Sequence, residues 1–251
     1  AEQFENRDYR LQQTVISPEY RKLVGGTSKL FAPDLSVSYT GYQVIKFNID
    51  DKAYESASVS YNSLPIMRYA EVLLNYAEAK AELGEFSDDI WNKTIKPLRE
   101  RAGVDGKRPT SADPYLQQYY GLSDSDLLEI RRERAIELLL EGFRYNDLMR
   151  WHAGELLNKQ WYGIYIPAMD TSYDLNGDGI NDVCVISGEA GNEPGVTYIV
   201  LDDSKYSLEN GTTGRLLYTV GRNFEEKRYL RPIPKTALNI NPDLGQNYYW
   251  R

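Results

Sequence analysis

The chain has one cysteine, Cys184, and one histidine, His152, in 251 residues. A single cysteine excludes an intrachain disulfide and a cysteine-cluster zinc site. A single histidine leaves any Ser-His-Asp or Cys-His mechanism to run through His152 alone. His152 follows Trp151 at the end of a helical pattern, where the helix dipole favours such a residue. No run approaches the roughly 18 apolar residues of a membrane-spanning helix. Neither a P-loop nor a dinucleotide fingerprint is present. Positive charge is the minority, with 29 Lys plus Arg against 37 Asp plus Glu and a formal net charge of −8. That balance argues against nucleic acid and anionic lipid, whose phosphates need local positive charge. The N-terminus, Ala1-Glu2-Gln3-Phe4-Glu5-Asn6-Arg7, is polar and carries no signal-peptide pattern. Two readings of it stay open: a cytosolic protein, or a longer precursor whose start is missing.

Tyrosine, by contrast, is abundant at 21 residues. Its apolar ring and polar tip suit wet, amphipathic ligands. Tyr39, Tyr42 and Tyr54 fall in an irregular first segment with turns at Gly25-Gly26 and Gly41. They read either as a ligand-facing loop or as packing residues. Val44–Ile49 alternates as a strand would.

Helical periodicity is clearest over 65–83, with Pro65 in the first turn and Gly84 at the C-terminal cap. Ala70, Ala77 and Ala81 would let another helix approach closely, as in stacked helical hairpins. A second helix follows Ser87 as N-cap and breaks near Lys96 because of Pro97, and a short helix then ends at Gly103. A third begins at Ser123, is interrupted by Gly142 and resumes to Trp151. From Trp161 onward turns and short strands dominate. Tyr229–Pro234 is extended, and Asn241-Pro242-Asp243 makes a turn.

Three groups could carry chemistry. Glu133, Glu137 and Glu141 share a helix face and are the only paired carboxylates with a claim to glycoside hydrolysis. Arginines within helical reach (Arg134, Arg144, Arg150) make ion pairing the better reading of them. Asp174-Leu175-Asn176-Gly177-Asp178-Gly179-Ile180-Asn181-Asp182 has the spacing of a calcium loop, with Asp174, Asn176, Asp178, the Ile180 carbonyl and Asp182 as oxygen ligands. The same residues also make a Gly/Asn/Asp hairpin turn, and Val185 stands where a bidentate Glu is expected. Finally, Trp161-Tyr162-Gly163-Ile164-Tyr165 is an aromatic run whose rings could stack on sugar C–H faces or simply pack a connector.

Three blocks carry a family resemblance. The segment from Leu64 to Ala79 (LPIMRYAEVLLNYAEA), the pair Glu133–Leu138 and Glu141–Trp151, and the closing stretch Tyr229–Pro234 with Asn239–Asn247 together resemble the SusD/RagB family. Leu98–Val104 and Arg7–Leu11 support it in the right order. Tyr9 replaces a usual proline, and Tyr248-Tyr249 a usual Pro-Gly.

The resemblance implies a mainly α fold of tetratricopeptide-like hairpins with irregular, loop-rich regions and a few short strands. It covers 1–251 as one region, helical over about 62–155, with loop- and strand-rich flanks at 1–61 and 156–251. It also implies the C-terminal portion of a longer, lipid-anchored protein on the extracellular face of the outer membrane. Such a protein is not an enzyme. It binds oligosaccharides and delivers them to a SusC-like TonB-dependent transporter. Arg68, Glu71, Glu78, Glu137, Arg144 and Asp147 then brace helices. No cofactor is required, and calcium is the one candidate ion. The family's ligand site varies, so Tyr39, Tyr42, Trp161, Tyr162 and Tyr165 are taken as ligand contacts from their chemistry alone. A peptide-binding module of the same fold and a glycosidase are the competing readings.

Overall fold

Residues 2–202 and 205–250 are described by the computed structural model. They divide into two units: one runs to Leu138 and takes in Gln160–Val220, and the other comprises Leu139–Lys159 and the residues from Gly221.

In the first unit, α1 (Tyr9–Thr14) is capped by the Asp8 side chain. A hairpin of β1 (Arg21–Val24) and β2 (Thr27–Leu30) then turns on Gly25 and Gly26, both at positive φ. Such a turn favours glycine at both central positions. Val44–Ile49 is not a strand: Val44 makes one isolated bridge to Val15, and Phe47 at φ 71° bends the chain away.

Helix α2 (Tyr69–Glu82) starts four residues later than Pro65 suggests, after extended Arg68. Gly84 at φ 68° closes it, with the Glu85 N–H returning to the Lys80 carbonyl. Ala70, Leu74 and Ala77 form its buried stripe, and the small residues bring α2 against α6 (Ser125–Glu137) and α4 (Ile95–Arg101). Helix α3 (Asp88–Lys93) carries the expected Ser87 cap. The break after it falls at Thr94, and Pro97 sits in the first turn of α4, where its missing N–H costs nothing. Helix α5 (Pro114–Tyr120) escaped the periodicity reading although its punctuation is complete: Asp113 caps it, Pro114 opens it and left-handed Gly121 ends it. The α6 cap is Asp124 rather than Ser123.

The rest of this unit is sheet. β3 (Trp161–Ile166), β8 (Gly214–Tyr218) and β7 (Tyr206–Leu208) form one antiparallel sheet in the order 3-8-7. β4 (Ser172–Tyr173), β5 (Val183–Ile186) and β6 (Thr197–Val200) form another, with β5 and β6 parallel. Their inward residues, including Ile164, Ile166, Val183, Val185, Ile199 and Leu216, share one core. The expectation of a mainly α chain is therefore corrected to a mixed α and β one. Short β-branched and aromatic runs after Trp161 bury enough surface to build two sheets, not a few loose strands.

The second unit holds α7 (Phe143–Arg150) and α8 (Lys235–Ile240). Gly142 at φ 84° starts α7, as the sequence suggests. His152 lies just beyond its end at φ 51°, stacked on Tyr229 at 4.0 Å. Tyr229 also accepts the Gly154 N–H at 2.8 Å. Tyr229–Pro234 is not helical beyond a short turn ending at Tyr229. Asn241 caps the turn at Pro242–Leu244.

Candidate functional site

The carboxylates on α6 are structural. Glu129, Glu133 and Glu137 are fully buried and lie one turn apart. Arginines reach them mainly from other segments rather than along α6. Arg99 bonds Glu129 and meets Glu133 at 3.2 Å. Arg10 bonds Glu133 and reaches Glu137 at 2.7 Å. Arg68 and Arg101 complete Glu137, the latter at 2.6 Å. Arg134 faces Glu78 at 3.5 Å. Burial by itself would raise the pKa of Glu137, but the hydrogen bonds from Arg101, Arg68 and Arg10 outweigh it and hold the pKa at about 2. A carboxyl so poised stays ionised and cannot act as a general acid near neutrality. Clefts of about 830 and 910 Å³ lie in this unit, one beside Asp88, Lys96 and Asp126, the other beside Arg10, Arg99 and Glu133. Many of their charged walls are already paired with one another.

The aromatic residues are organised by a bulge. Along β3 the register steps from Tyr162 opposite Leu217 to Tyr165 opposite Arg215, leaving one extra residue on β3. Gly163 sits there because a Cβ would stand 2.5 Å from the Thr40 carbonyl oxygen. That carbonyl accepts the Ile164 N–H at 2.8 Å. Gly41, at φ 77°, turns the chain directly over the Ile164 side chain. The Tyr39–Tyr42 turn is thereby fixed to the strand that carries Trp161.

The result is a ladder of rings. Tyr39 stacks on Tyr218 with centroids 4.8 Å apart and planes within 5°. Trp161, opposite Tyr218 across the strands, stacks on it at 6.1 Å and 24°. Tyr206 meets Tyr218 edge-on at 6.1 Å. Trp161 is 51% exposed and Tyr39 42%, so both ends of the ladder reach solvent. Lys205 caps the Tyr39 end, its Nζ 4.7 Å from the ring centroid. Burial, reinforced by Tyr39 and Tyr218, raises the pKa of Tyr206, which keeps its hydroxyl a donor.

Of the other expected rings, Tyr42 and Tyr165 line a separate cleft of about 540 Å³ with Gln3, Phe4, Ile16 and Pro33. The Tyr42 hydroxyl donates to Gln3 at 2.7 Å. Tyr162 lies under the Arg215 guanidinium at 3.8 Å, and Glu209 holds that guanidinium with two bonds of 2.9 and 2.6 Å. The five ring residues expected from sequence therefore fall into three places: Tyr39 and Trp161 share the ladder, Tyr42 and Tyr165 share the cleft, and Tyr162 stands apart under Arg215. Tyr206, Tyr218 and Lys205 were missed. No local pattern marks them, because strand pairing across β3, β8 and β7 is what brings them to Tyr39 and Trp161.

Residues 174–182 join β4 to β5 as the connection of a hairpin. Asp174 accepts the N–H groups of Asn176, Gly177 and Gly179 at 3.1, 2.7 and 2.8 Å. Burial opposes its ionisation, yet those amides prevail and lower its pKa. Asn176 accepts from Asp178, Asp178 from Ile180, and Asp182 from Leu175. The Asp182 pKa is raised by burial and then by Asp174 and Asp178. Among the described residues no group of three or more His, Cys, Asp or Glu is disposed to hold a metal ion.

Comparison with known proteins agrees with this architecture. The model of the SusD family matches residues 1–250. SusD-like protein P38 of Formosa agariphila is 30% identical over 145 residues, 57% of this chain and 24% of that protein. A solved SusD-like protein of Bacteroides fragilis superposes over 98% of this chain and 40% of its own, with TM-score 0.62 and 21% identity. A solved protein described as BT4246 covers 88% of this chain and 31% of its own, with TM-score 0.52 and 18% identity. The chain thus spans well under half the length of these relatives, and it belongs to the SusD family.

Proposed function

We propose that this chain captures oligosaccharides without transforming them, as part of a surface protein that passes them to a SusC-like TonB-dependent transporter of the outer membrane. The observation that carries this reading is the Tyr39–Tyr218–Trp161 ladder. A pyranose presents a flat patch of C–H bonds on one face and hydroxyls around its rim. Exposed aromatic faces bind the first, and tyrosine hydroxyls and loop amides bind the second. The bulge at Gly163 holds the ladder in place before any ligand arrives, which lowers the ordering cost of binding. The absence of a catalytic role is supported by the arginine-locked state of Glu133 and Glu137.

Family membership supports the transporter and an outer-membrane location, with attachment through a lipid anchor on the longer protein. Among the described residues no helix is long and apolar enough to cross a membrane. Tetratricopeptide-like stacking is supported by α2, whose outer stripe of Tyr69, Val72 and Tyr76 is exposed while Ala70, Leu74 and Ala77 are buried. A helix apolar on both sides is built to be packed on both sides.

The test is calorimetric titration with a panel of oligosaccharides and a peptide pool, with products assayed afterwards. Saturable binding to a glycan class with the glycan recovered intact is expected. Binding to peptides alone, or release of shorter sugars, would contradict the reading.

A further inference from the structure

Many arginines of this chain are paired with carboxylates. Arg215 on the same sheet is held twice by Glu209, and Arg10, Arg99, Arg101, Arg108 and Arg132 all have acidic partners. Lys205 is different. It is half-buried at the Tyr39 end of the ladder, and its recorded side-chain contacts among the described residues are two rings: Tyr39 at 4.7 Å and Tyr206 at 5.1 Å. Its backbone is fixed by the Lys205 N–H to the Asp202 carbonyl at 2.8 Å and by the Thr219 N–H to its own carbonyl at 2.9 Å. Lys22, the other lysine set over two rings, is paired with Glu55 as well, whereas Lys205 meets no carboxylate among the described residues.

We propose that the ladder takes an acidic glycan, one whose carboxylate or sulfate ester pairs with Lys205. This rests on the capture reading and names the substrate class of that same site. The physical case has three parts. An ammonium has three N–H donors, and two ring faces engage at most two of them. Partial burial against rings removes water that would otherwise screen the charge, so an incoming anion gains more than it would from an exposed lysine. The ladder also has unlike ends, with an indole at Trp161 and a cation beyond Tyr39. An oligosaccharide lying along it meets an apolar surface at one end and a positive charge at the other, which fits a sugar chain carrying acidic substituents.

The experiment uses matched pairs: oligogalacturonides against their methyl esters for the carboxylate, and sulfated carrageenan oligosaccharides against desulfated ones for the sulfate. Each is titrated into the wild-type chain and into Lys205→Met, which keeps the length of the side chain without its charge. Thermal unfolding checks that the variant is folded. The expected result is that an acidic member binds at least roughly tenfold more tightly than its neutral counterpart. That advantage should disappear in Lys205→Met and weaken with added salt, while the neutral member loses far less affinity than the acidic one. Neutral members binding as tightly as acidic ones, or an acidic preference that survives Lys205→Met, would overturn this inference and leave glycan capture standing. Failure of every glycan, neutral and acidic, would overturn both.

Discussion

On α6, Glu129, Glu133 and Glu137 are each met by arginine, so their charge is matched within the protein. On the β3–β8–β7 sheet, rings are stacked with their outer members open to solvent and the one adjoining lysine has rings for neighbours. Both regions lie in the same unit, and both use Arg or Lys beside aromatic or acidic groups. The difference is satisfaction. Buried ionic groups must be matched within the protein, because leaving one uncompensated costs several kcal/mol. Groups that wait for a ligand are left incompletely matched at the surface. In this chain the charged helices build the scaffold, and the sparsely charged sheet carries the proposed site.

The largest expected effect breaks the lattice. Glu137→Gln leaves Arg10, Arg68 and Arg101 short of a shared partner and should destabilise the fold by about 3–5 kcal/mol in urea titration. It should have little effect on glycan affinity in whatever fraction stays folded. The same carboxylate predicts an acid limb. Its folded pKa of about 2 lies below the ordinary carboxylate value near 4.5, so its contribution is complete above about pH 4.5 and is lost as the pH falls toward 2. Unfolding midpoints measured across that window should fall for the wild type and fall less for Glu137→Gln.

The sheet should behave in the opposite way. Trp161→Ala should lower glycan affinity at least roughly tenfold while costing about 1 kcal/mol or less of stability, because half of the ring is already solvated. Gly163→Ala sits between the two regions in effect. Its Cβ would press on the Thr40 carbonyl, so a loss of about 1–3 kcal/mol is expected. Affinity should also drop several-fold as the Tyr39 turn shifts off the ladder. The smallest effect is expected at the 174–182 loop. Its carboxylates already serve loop amides, so a chelator should leave the melting temperature and glycan affinity unchanged. A rise of several degrees on adding calcium would show that the ion is part of the fold.

Punctuation was the part of this fold that could be read directly. Ser87, Gly84, Gly103, Gly142 and the Gly25-Gly26 pair mark real boundaries, because caps and positive-φ turns are decided by the residue itself. Pro65 misled by four residues, since a proline compatible with a first turn is equally compatible with the extended chain before it. α5 leaves no periodic signal, because seven residues are too few for a period to show. Acid–base partnerships were legible only as a class. The glutamate stripe suggested ion pairs, but its partners come from Arg10, Arg68, Arg99 and Arg101 on other segments, and only folding brings those together. The same holds for the site. Tyr39 and Trp161 could be picked out as ring-bearing residues, while Tyr218, which lies between them, follows Trp161 by dozens of residues. It joins them through strand pairing that no local pattern specifies.

The most direct test of the account is one titration performed in parallel on the wild type, Trp161→Ala and Tyr39→Ala, using the tightest oligosaccharide found in the panel and with unfolding curves recorded on the same samples. Loss of most of the affinity in both variants, with stability nearly intact, is the predicted result. Undiminished binding in folded Trp161→Ala and Tyr39→Ala would contradict it and move the ligand site away from the ladder.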